Sequence, residues 1–172
     1  SSSNFFSVIV PYISSSQKAA AGIQSVLMQQ YEKFELLLVM LPDSEKKFDN
    51  NFAALINNTK IKKINTPYGE ENFDYQYGAK NAKGNFLCFL APDDEWYAHH
   101  LKVFNQEIEK NPTMKVLFTV GEIACGLKNL SIKVSENATL IAPNGLETGF
   151  NLSLTQFCIE RNYFQLFSFK AV

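Results

Sequence analysis

The residues of this 172-residue chain best placed to do chemistry are the carboxylates Asp93 and Asp94, with Glu95 next to them. They directly follow a short apolar run from Phe86 to Leu90, which a lysine-glycine turn introduces. An apolar run bounded by turn residues is typical of a strand buried on both faces of a parallel sheet. Carboxylates just beyond such a strand lie where open α/β sheets bind ligands. Oxygen ligands of this kind suit Mg²⁺ or Mn²⁺, and these metals bind phosphates.

A second interpretation of the same residues needs no ligand. Aspartate side chains also cap helix N-termini, and Asp93 and Asp94 could cap a helix that begins near Glu95. Apolar residues at helical spacing favour such a helix up to Lys110. These residues alone leave both interpretations open.

Length and composition indicate one globular domain with a substantial core. The chain is 46% apolar and 13% aromatic, with a net charge of −1 and Arg161 as its only arginine. Nucleic-acid-binding proteins normally carry a basic, arginine-bearing face, so no nucleic-acid partner is expected. No apolar run approaches the length of a membrane span and no leader pattern is present. We therefore predict no transmembrane segment, which is compatible with peripheral membrane association.

Cysteines and histidines are expected to have structural roles. Cys88, Cys125 and Cys158 are widely spaced and odd in number. Free cysteines are usually buried, so we expect small core residues in a reduced, cytoplasmic protein. His99 and His100 are adjacent, so on a helix their side chains point about 100° apart and cannot chelate one metal ion. Both are expected at the surface.

Strand and helix patterns alternate through the first 120 residues, which predicts right-handed crossovers. Strands are predicted at 5–10, 34–40, 61–64, 86–90 and 114–120, and helices at 19–30, 43–58, 72–82 and 95–110. After Gly121, short strands and Gly, Asn and Ser turns predict a smaller mixed segment that ends in a brief helix near 161–167. The predicted fold class is α/β, a mostly parallel sheet with helices on both faces and a small mixed C-terminal segment.

The common glycine-rich phosphate loops are absent from the sequence. No Gly-x-Gly-x-x-Gly follows the first strand, and no Gly-x4-Gly-Lys-Ser/Thr occurs. A dinucleotide dehydrogenase and a P-loop ATPase are therefore disfavoured. Without a nest of glycine amides, bound phosphates would need a metal ion to neutralise them, which favours the ligand interpretation of Asp93 and Asp94.

Five short motifs, in order over roughly residues 5 to 120, resemble family 2 glycosyltransferases, which have the GT-A fold. The motifs are Val8-Ile-Val-Pro11-Tyr12, Ser25-Val-Leu-Met-Gln-Gln-Tyr31, Phe34-Glu-Leu-Leu-Leu-Val39, Ala82-Lys-Gly-Asn-Phe86 and Phe89-Leu-Ala-Pro-Asp93-Asp94-Glu-Trp96. The resemblance implies a single GT-A-like domain over residues 1–172. Its nucleotide-sugar-binding half would span about 5–120, and a partial acceptor-side segment about 121–172.

The resemblance implies transfer of a sugar from a nucleoside-diphosphate sugar to a glycan acceptor, in polysaccharide or cell-envelope glycan assembly. Mg²⁺ or Mn²⁺ would act as Lewis acid on the leaving diphosphate, and a carboxylate would take the acceptor proton. Asp93 stands at the position of the metal-binding aspartate of the family, with Asp94 beside it. Pro11 and Tyr12 stand at the strand end that holds the donor, and Asp43 follows the strand whose end reads the nucleobase.

The chain departs from the family pattern in several places. Ala91 stands where the leading aspartate of Asp-x-Asp is expected, which weakens the implied metal site. Met40 ends the second strand where the family has an acid, so Asp43 either reads the nucleobase from a shifted position or caps the next helix. No aspartate follows Asp94, and the four glutamates after residue 121 lie in no recognisable motif, so no catalytic base is assigned. Family domains generally continue past the strand that residues 156–161 resemble, so a truncated acceptor half is expected.

These departures keep a second function open, that of a catalytically inactive GT-A-fold relative acting as a binding or interaction module. A nucleotidyltransferase of related architecture is disfavoured, because no glycine-rich, Arg/Lys-bearing loop follows the first strand. Mutation separates the first two hypotheses. Asp93→Ala should abolish nucleotide binding by a transferase and leave an interaction module unchanged.

Overall fold

The structure, a computed structural model, describes residues 3–69, 71–92, 94–118, 133–134, 140–141 and 154–165. The strands are β1 Phe6–Pro11, β2 Phe34–Met40, β3 Ile61–Asn65, β4 Phe86–Phe89, β5 Val116–Phe118, β6 Lys133–Val134, β7 Leu140–Ile141 and β8 Phe157–Glu160. The helices are α1 Gln17–Leu27, α2 Asn50–Ile56, α3 Glu71–Asn81, α4 His100–Lys110 and α5 Arg161–Phe164, with 3-10 helices at Ser44–Lys47 and Leu154–Gln156. None of the described helices has the length and apolar character needed to cross a bilayer.

Six strands form one sheet in the order β3-β2-β1-β4-β8-β5. The first four are parallel, as the alternation of strands and helices predicts. Strand β8 is antiparallel to both of its neighbours. It comes from the segment after Gly121, yet it lies inside the sheet between β4 and β5. Strands β6 and β7 form a separate antiparallel pair.

The central strands are buried on both faces. Every residue of β1, β2 and β4 is buried, which confirms the predicted buried strands. Leu36 and Leu38 of β2 face a core cluster shared with α1, α2 and α4. Leu37 and Val39 face a second cluster shared with α3 and α5. The sheet therefore has helices on both faces, as predicted.

Glu35 is a charged residue within this buried strand, and it is only 3% exposed. Its carboxylate accepts hydrogen bonds from the Ser7 hydroxyl at 2.7 Å, the Lys62 ammonium at 2.6 Å and the Lys83 amide at 2.8 Å. Burial by itself raises the pKa of Glu35, but these donors outweigh it and hold the pKa below its ordinary value of 4.5. The Ser7 hydroxyl also accepts from the Gly84 amide at 2.8 Å. The network therefore fastens the lysine-glycine turn before β4 to β1 and β2.

The helix predicted over residues 43–58 is divided in the structure. Asp43 has a φ of 65°, a left-handed conformation rather than the extended one of an N-cap residue, and its side chain makes no capping bond. A 3-10 helix follows it, and α2 begins only at Asn50, where the Asp49 carboxylate accepts from the Phe52 amide at 2.8 Å. The interpretation of Asp43 as a helix cap is therefore wrong, and its assignment to the donor site stays a prediction.

Helix α4 begins at His100 rather than near Glu95, with His99 at the N-cap position. The interpretation of Asp94 as the cap of a helix beginning near Glu95 is therefore wrong. The expected surface position of His100 is also wrong, since it is 8% exposed and its ring stacks on Trp96 at a centroid distance of 4.3 Å. Burial, with a smaller contribution from His99, lowers the pKa of His100 to about 3, so its ring is neutral at physiological pH.

Cys88 and Cys158 are free and fully buried, as predicted. They face each other across β4 and β8. Burial, reinforced by the neighbouring Cys88, raises the pKa of the Cys158 thiol well above its ordinary value. Cys158 is therefore an uncharged core residue rather than a nucleophile or a metal ligand. Cys125 lies outside the described residues.

Candidate functional site

A cleft of about 160 Å³ lies at the carboxyl ends of β1 and β4. The chain runs from β1 outward to β2 and β3, and then returns to place β4 on the other side of β1. The strand order therefore reverses between β1 and β4, and such a switch point is where open α/β sheets bind ligands. The described residues that line the cleft include Pro11, Tyr12, Ser16, Lys18, Ala91 and Asp94.

Pro11 and Tyr12, two of the predicted donor contacts, both line the cleft. Pro11 is the last residue of β1, and the Tyr12 amide donates to the Val39 carbonyl at 2.7 Å. The Tyr12 hydroxyl is hydrogen-bonded to Ser15 Oγ at 3.0 Å, and its ring packs edge-on against Phe48 at a centroid distance of 5.0 Å. The aromatic side chain is therefore held at both its ring and its hydroxyl.

Asp94 lines the cleft from the loop after β4. Its carboxylate accepts a hydrogen bond from the Thr155 hydroxyl at 2.6 Å, and its amide donates to the Ala91 carbonyl at 3.2 Å. Thr155 Oγ1 in turn accepts from the Ala91 amide at 2.8 Å. Thr155 lies 61 residues further along the chain. Thr155 lies outside the sequence motifs, and no sequence pattern signals its contact with Asp94, because the contact depends on the insertion of β8 beside β4.

Helix α1 holds the other side of the same loop. The Gln29 side chain donates to the Tyr97 carbonyl at 2.8 Å and accepts from the Leu101 amide at 2.9 Å. The Ser25 hydroxyl accepts from the Trp96 amide at 3.0 Å. Backbone groups of the loop therefore bond to side chains of α1 and its C-terminal turn, which explains why α4 begins late. Ser25 and Gln29 of the second motif therefore hold the backbone of the loop between β4 and α4.

We expect Gly22→Ala to destabilise the protein, although alanine normally stabilises a helix by about 1 kcal/mol relative to glycine. A Cβ at Gly22 would lie 2.6 Å from the Asp94 carbonyl oxygen and 3.2 Å from Leu90 Cδ2. Relief of this overlap must move α1 or the loop, and such overpacking costs about 1–3 kcal/mol. Urea unfolding followed by the fluorescence of Trp96, the single tryptophan, measures the change. The exposed Gln24→Ala on the same helix is the control, and a G22A variant more stable than wild type would contradict the close contact.

Asp43, another predicted donor contact, is not among the described residues that line this cleft. It lies in the loop after β2, where its carboxylate forms an exposed ion pair with Lys46 at 2.9 Å. Met40, which stands where the family resemblance implies an acid, is 1% exposed and packs in the core. The structure therefore brings three of the predicted residues to one cleft and leaves Asp43 outside its lining.

The metal prediction rests on Asp93, which lies outside the described residues. Within the part of the chain that the structure describes, no group of three or more His, Cys, Asp or Glu side chains could hold a metal ion. Mg²⁺ commonly uses one or two carboxylates together with waters and substrate phosphates. Asp94 provides one carboxylate at the cleft. One carboxylate at the cleft fits a divalent ion that also binds a diphosphate.

Lys18 is a charged residue of the cleft that lies outside the sequence motifs. It lies in the first turn of α1, whose N-cap Ser16 accepts from the Ala19 amide at 3.1 Å. A lysine ammonium and the N-terminus of a helix both favour anions. The described lining therefore offers a cationic side chain as well as the carboxylate of Asp94.

Two curated relatives of the chain are glycosyltransferases. One is WfgD of Escherichia coli, a UDP-Glc:alpha-D-GlcNAc-diphosphoundecaprenol beta-1,3-glucosyltransferase. The chain is 31% identical to WfgD over 107 residues, and the match covers 61% of this chain and 41% of WfgD. It is 27% identical over 104 residues to the amylovoran biosynthesis glycosyltransferase AmsB of Erwinia amylovora, over 56% of this chain and 33% of AmsB. The chain thus spans less than half the length of these curated relatives. No protein-family model matches it.

Solved glycosyltransferase structures share the fold. Residues 1-349 of S. aureus TarS match with a TM-score of 0.67 at 20% identity, over 94% of this chain and 48% of that TarS chain. The mannosyltransferase PcManGT of Pyrobaculum calidifontis matches with a TM-score of 0.57 at 17% identity, over 69% of this chain and 36% of PcManGT. The chain is thus similar to glycosyltransferases, which is consistent with the predicted resemblance to family 2. The predicted GT-A-like α/β fold class is confirmed.

The five motifs of this glycosyltransferase relative build the frame of the cleft. The first three lie in β1, in α1 with the turn after it, and in β2. The last two form the turn before β4, and β4 with the loop that carries Asp94. Because β1 and β4 are neighbours in the sheet, the first and the last motif meet at the cleft.

Proposed function

We propose that the chain is the donor-binding part of a glycosyltransferase. It binds a nucleoside-diphosphate sugar together with a divalent metal, and the sugar passes to a hydroxyl of a glycan acceptor in polysaccharide or cell-envelope glycan assembly. The observation that carries the proposal is the cleft at the switch point between β1 and β4, where Pro11, Tyr12 and Asp94 lie together. Ligands of the structural neighbours support it, since TarS was solved with UDP and PcManGT with GDP-Man and Mn²⁺.

The chemistry of transfer defines what the site has to supply. The bond between the anomeric carbon and the diphosphate oxygen breaks, and a bond from that carbon to the acceptor oxygen forms. The electron pair of the broken bond leaves on the diphosphate, and the acceptor hydroxyl gives its proton to a base. Lys18, at the N-terminus of α1, suits stabilisation of the diphosphate charge. No described residue is assigned as the base.

Metal-binding and nucleoside-binding roles complete the proposal. Asp93 and Asp94 would hold Mg²⁺ or Mn²⁺, which when bound supplies Lewis-acid stabilisation of the leaving diphosphate. Pro11 and Tyr12 contact the nucleoside at the end of β1. Asp43 approaches the nucleobase from the loop after β2. In this proposal residues 5–120 form the donor half, and residues 121–172 belong to the acceptor side.

The proposed location is the cytoplasm. Free, buried thiols at Cys88 and Cys158 suit a reducing compartment. The diphosphoundecaprenol in the name of WfgD is a lipid carrier, so peripheral association with a membrane is compatible with an acceptor of that kind. The proposed partners are therefore a nucleotide sugar and a glycan acceptor, without nucleic acid.

A second function, that of a catalytically inactive GT-A relative acting as a binding or interaction module, is favoured by two observations. Ala91 supplies no carboxylate at the position of the leading aspartate. Met40 packs in the core where the family resemblance implies an acid. Both changes leave the sheet and its cores intact while they remove groups that would hold a donor.

Calorimetric titration of UDP, and then of GDP, with and without Mn²⁺ tests the proposal. We expect binding that requires Mn²⁺, with a dissociation constant between about 1 μM and 1 mM. Binding of neither nucleotide would contradict the transferase proposal and support the interaction module.

Substitution of the carboxylates tests whether the proposed site is the one that binds. Asp94→Asn should weaken binding by about tenfold or more, because it removes the charge at the cleft and keeps the side-chain size. Asp93→Ala should abolish binding. Glu32→Gln is the matched control, since it removes the same charge from a side chain that is 91% exposed. Equal losses in D94N and E32Q would show that net charge governs binding and would contradict the site.

A further inference from the structure

Thr155 connects the C-terminal part of the described chain to the cleft. It lies in the 3-10 helix Leu154–Gln156, directly before β8, and β8 pairs with β4. The residue is only 8% exposed. Its hydroxyl is therefore held against the loop after β4 by sheet pairing and not by the local chain.

The Thr155 hydroxyl is hydrogen-bonded to two residues of the loop after β4, Ala91 and Asp94. It accepts from the Ala91 amide at 2.8 Å and donates to Asp94 Oδ2 at 2.6 Å. A hydroxyl carries one proton. Thr155 donates this proton in the hydrogen bond to the Asp94 carboxylate, and a lone pair of the hydroxyl oxygen accepts from the Ala91 amide. Hydrogen bonds from a hydroxyl to a carboxylate are short and strong, and 2.6 Å lies in their range. The Asp94 carboxylate is therefore oriented relative to the end of β4.

The backbone of Thr155 contacts the loop as well. Trp96 Nε1 donates to the Thr155 carbonyl at 3.2 Å, so Ala91, Asp94 and Trp96 of one loop all bond to Thr155. Among the described residues that line the cleft, Asp94 is the one with a carboxylate side chain. Since Ala91 contributes no carboxylate, the orientation of Asp94 has more effect here than in a site whose residue 91 is also acidic.

We propose that Thr155 is a positioning residue whose hydroxyl aims the Asp94 carboxylate at the divalent ion and diphosphate of a bound nucleoside diphosphate. The inference rests on the proposed function, because it needs that ligand in the cleft. A carboxylate whose rotamer is already held loses little freedom when the ligand arrives. It therefore binds more tightly than a carboxylate that has to be ordered on binding.

Two substitutions at position 155 separate the hydroxyl from the shape of the side chain. Valine matches the shape of threonine but lacks the hydroxyl, whereas serine keeps it. UDP and GDP, each with Mn²⁺, are titrated calorimetrically into wild type, Thr155→Val and Thr155→Ser. We expect T155V to bind about tenfold more weakly, because a hydrogen bond to a charged group is lost, and T155S to bind within about threefold of wild type.

A double substitution tests whether Thr155 acts through Asp94. When Thr155→Val is added to Asp94→Asn, we expect less than about twofold further loss of affinity, because the hydroxyl works through the carboxylate that D94N has already removed. Losses that multiply would show that the two residues act independently and would overturn the inference. Trp96 fluorescence reports whether each variant is folded, and Thr155→Ala replaces T155V in the same comparison if the valine variant is unfolded.

The remaining outcomes distinguish this inference from the proposed function. Equal binding by wild type and T155V would overturn the role of Thr155 and leave the proposed function standing. Equal losses in T155V and T155S would also overturn it, because such an effect does not depend on the hydroxyl. If wild type binds neither nucleotide, the proposed function fails, and the positioning role fails with it.

Discussion

Replacement of Glu35 by alanine is expected to lower the free energy of unfolding by about 3 kcal/mol. The substitution removes the acceptor of the buried Ser7 hydroxyl and of the Lys83 amide. A buried donor left unsatisfied costs about 1–3 kcal/mol, which applies to the Ser7 hydroxyl, and loss of the part-buried Lys83 bond adds a smaller amount. The Lys62 side chain is 46% exposed and can turn to water, so loss of its ion pair adds little. Urea denaturation followed by Trp96 fluorescence measures the difference.

An exposed ion pair provides the matched control for Glu35→Ala. Glu45 pairs with Lys63 at 3.0 Å, with side chains 50% and 43% exposed. Exposed pairs contribute at most about 1 kcal/mol, so Glu45→Ala should leave the unfolding free energy within about 0.5 kcal/mol of wild type. Equal effects of the two substitutions would contradict a special contribution from the buried network.

The same carboxylate predicts how stability depends on pH. Because the pKa of Glu35 is held below its ordinary value of 4.5 in the folded protein, folding favours the ionised form. This stabilisation is fully present above the ordinary pKa and is lost as the pH falls through the lowered pKa of the folded state. The stability advantage of wild type over Glu35→Gln should therefore shrink between about pH 7 and about pH 3. An advantage that stays constant would contradict the prediction.

Replacement of Gln29 by alanine is expected to lower the free energy of unfolding by about 1–3 kcal/mol. Gln29 is 6% exposed, and its side chain serves the Leu101 amide and the Tyr97 carbonyl. Alanine leaves the buried Leu101 amide without its acceptor, at about 1–3 kcal/mol, whereas the Tyr97 carbonyl still accepts from the His100 amide at 3.1 Å. Urea unfolding measures the loss, and hydrogen exchange at the Leu101 amide should accelerate because its acceptor is gone.

The neighbouring Gln30 is the control for this substitution. Its side chain is exposed, and its amide donates to the Ala98 carbonyl at 2.8 Å, a bond that alanine keeps. Gln30→Ala should therefore change the unfolding free energy by no more than about 0.5 kcal/mol. If Q29A is as stable as Q30A, the loop does not depend on the side chain of Gln29.

Local patterns predicted much of the frame of the molecule. The apolar runs of β1, β2 and β4 indicated buried strands because a strand covered on both faces needs apolar side chains at every position. Serine is one of the residues preferred at a helix N-cap, and Ser16 caps α1 by accepting from the Ala19 amide. The apolar strands and the Ser16 cap both depend on residues that are neighbours in the chain, so the types of a few consecutive side chains are enough to indicate the backbone conformation.

Boundaries were predicted less well wherever a distant partner decides them. The helical periodicity before α4 is real, but the Gln29 side chain bonds the loop backbone, and the helix starts only at His100. Asp43 has the residue type of a cap, yet its left-handed conformation prevents it from capping the next helix. His100 is polar and was expected at the surface, but it lies between Trp96 and Phe104 in the core.

The sequence by itself determined the buried parallel strands, the alternation with helices and the presence of Asp94 at the end of a strand. Each of these depends on the periodicity or chemistry of neighbouring residues. The tertiary structure alone decided that β4 lies beside β1, that β8 is inserted between β4 and β5, and that Thr155 holds Asp94. The physical reason is that this contact joins residues 61 positions apart, so it leaves no periodic pattern in the chain.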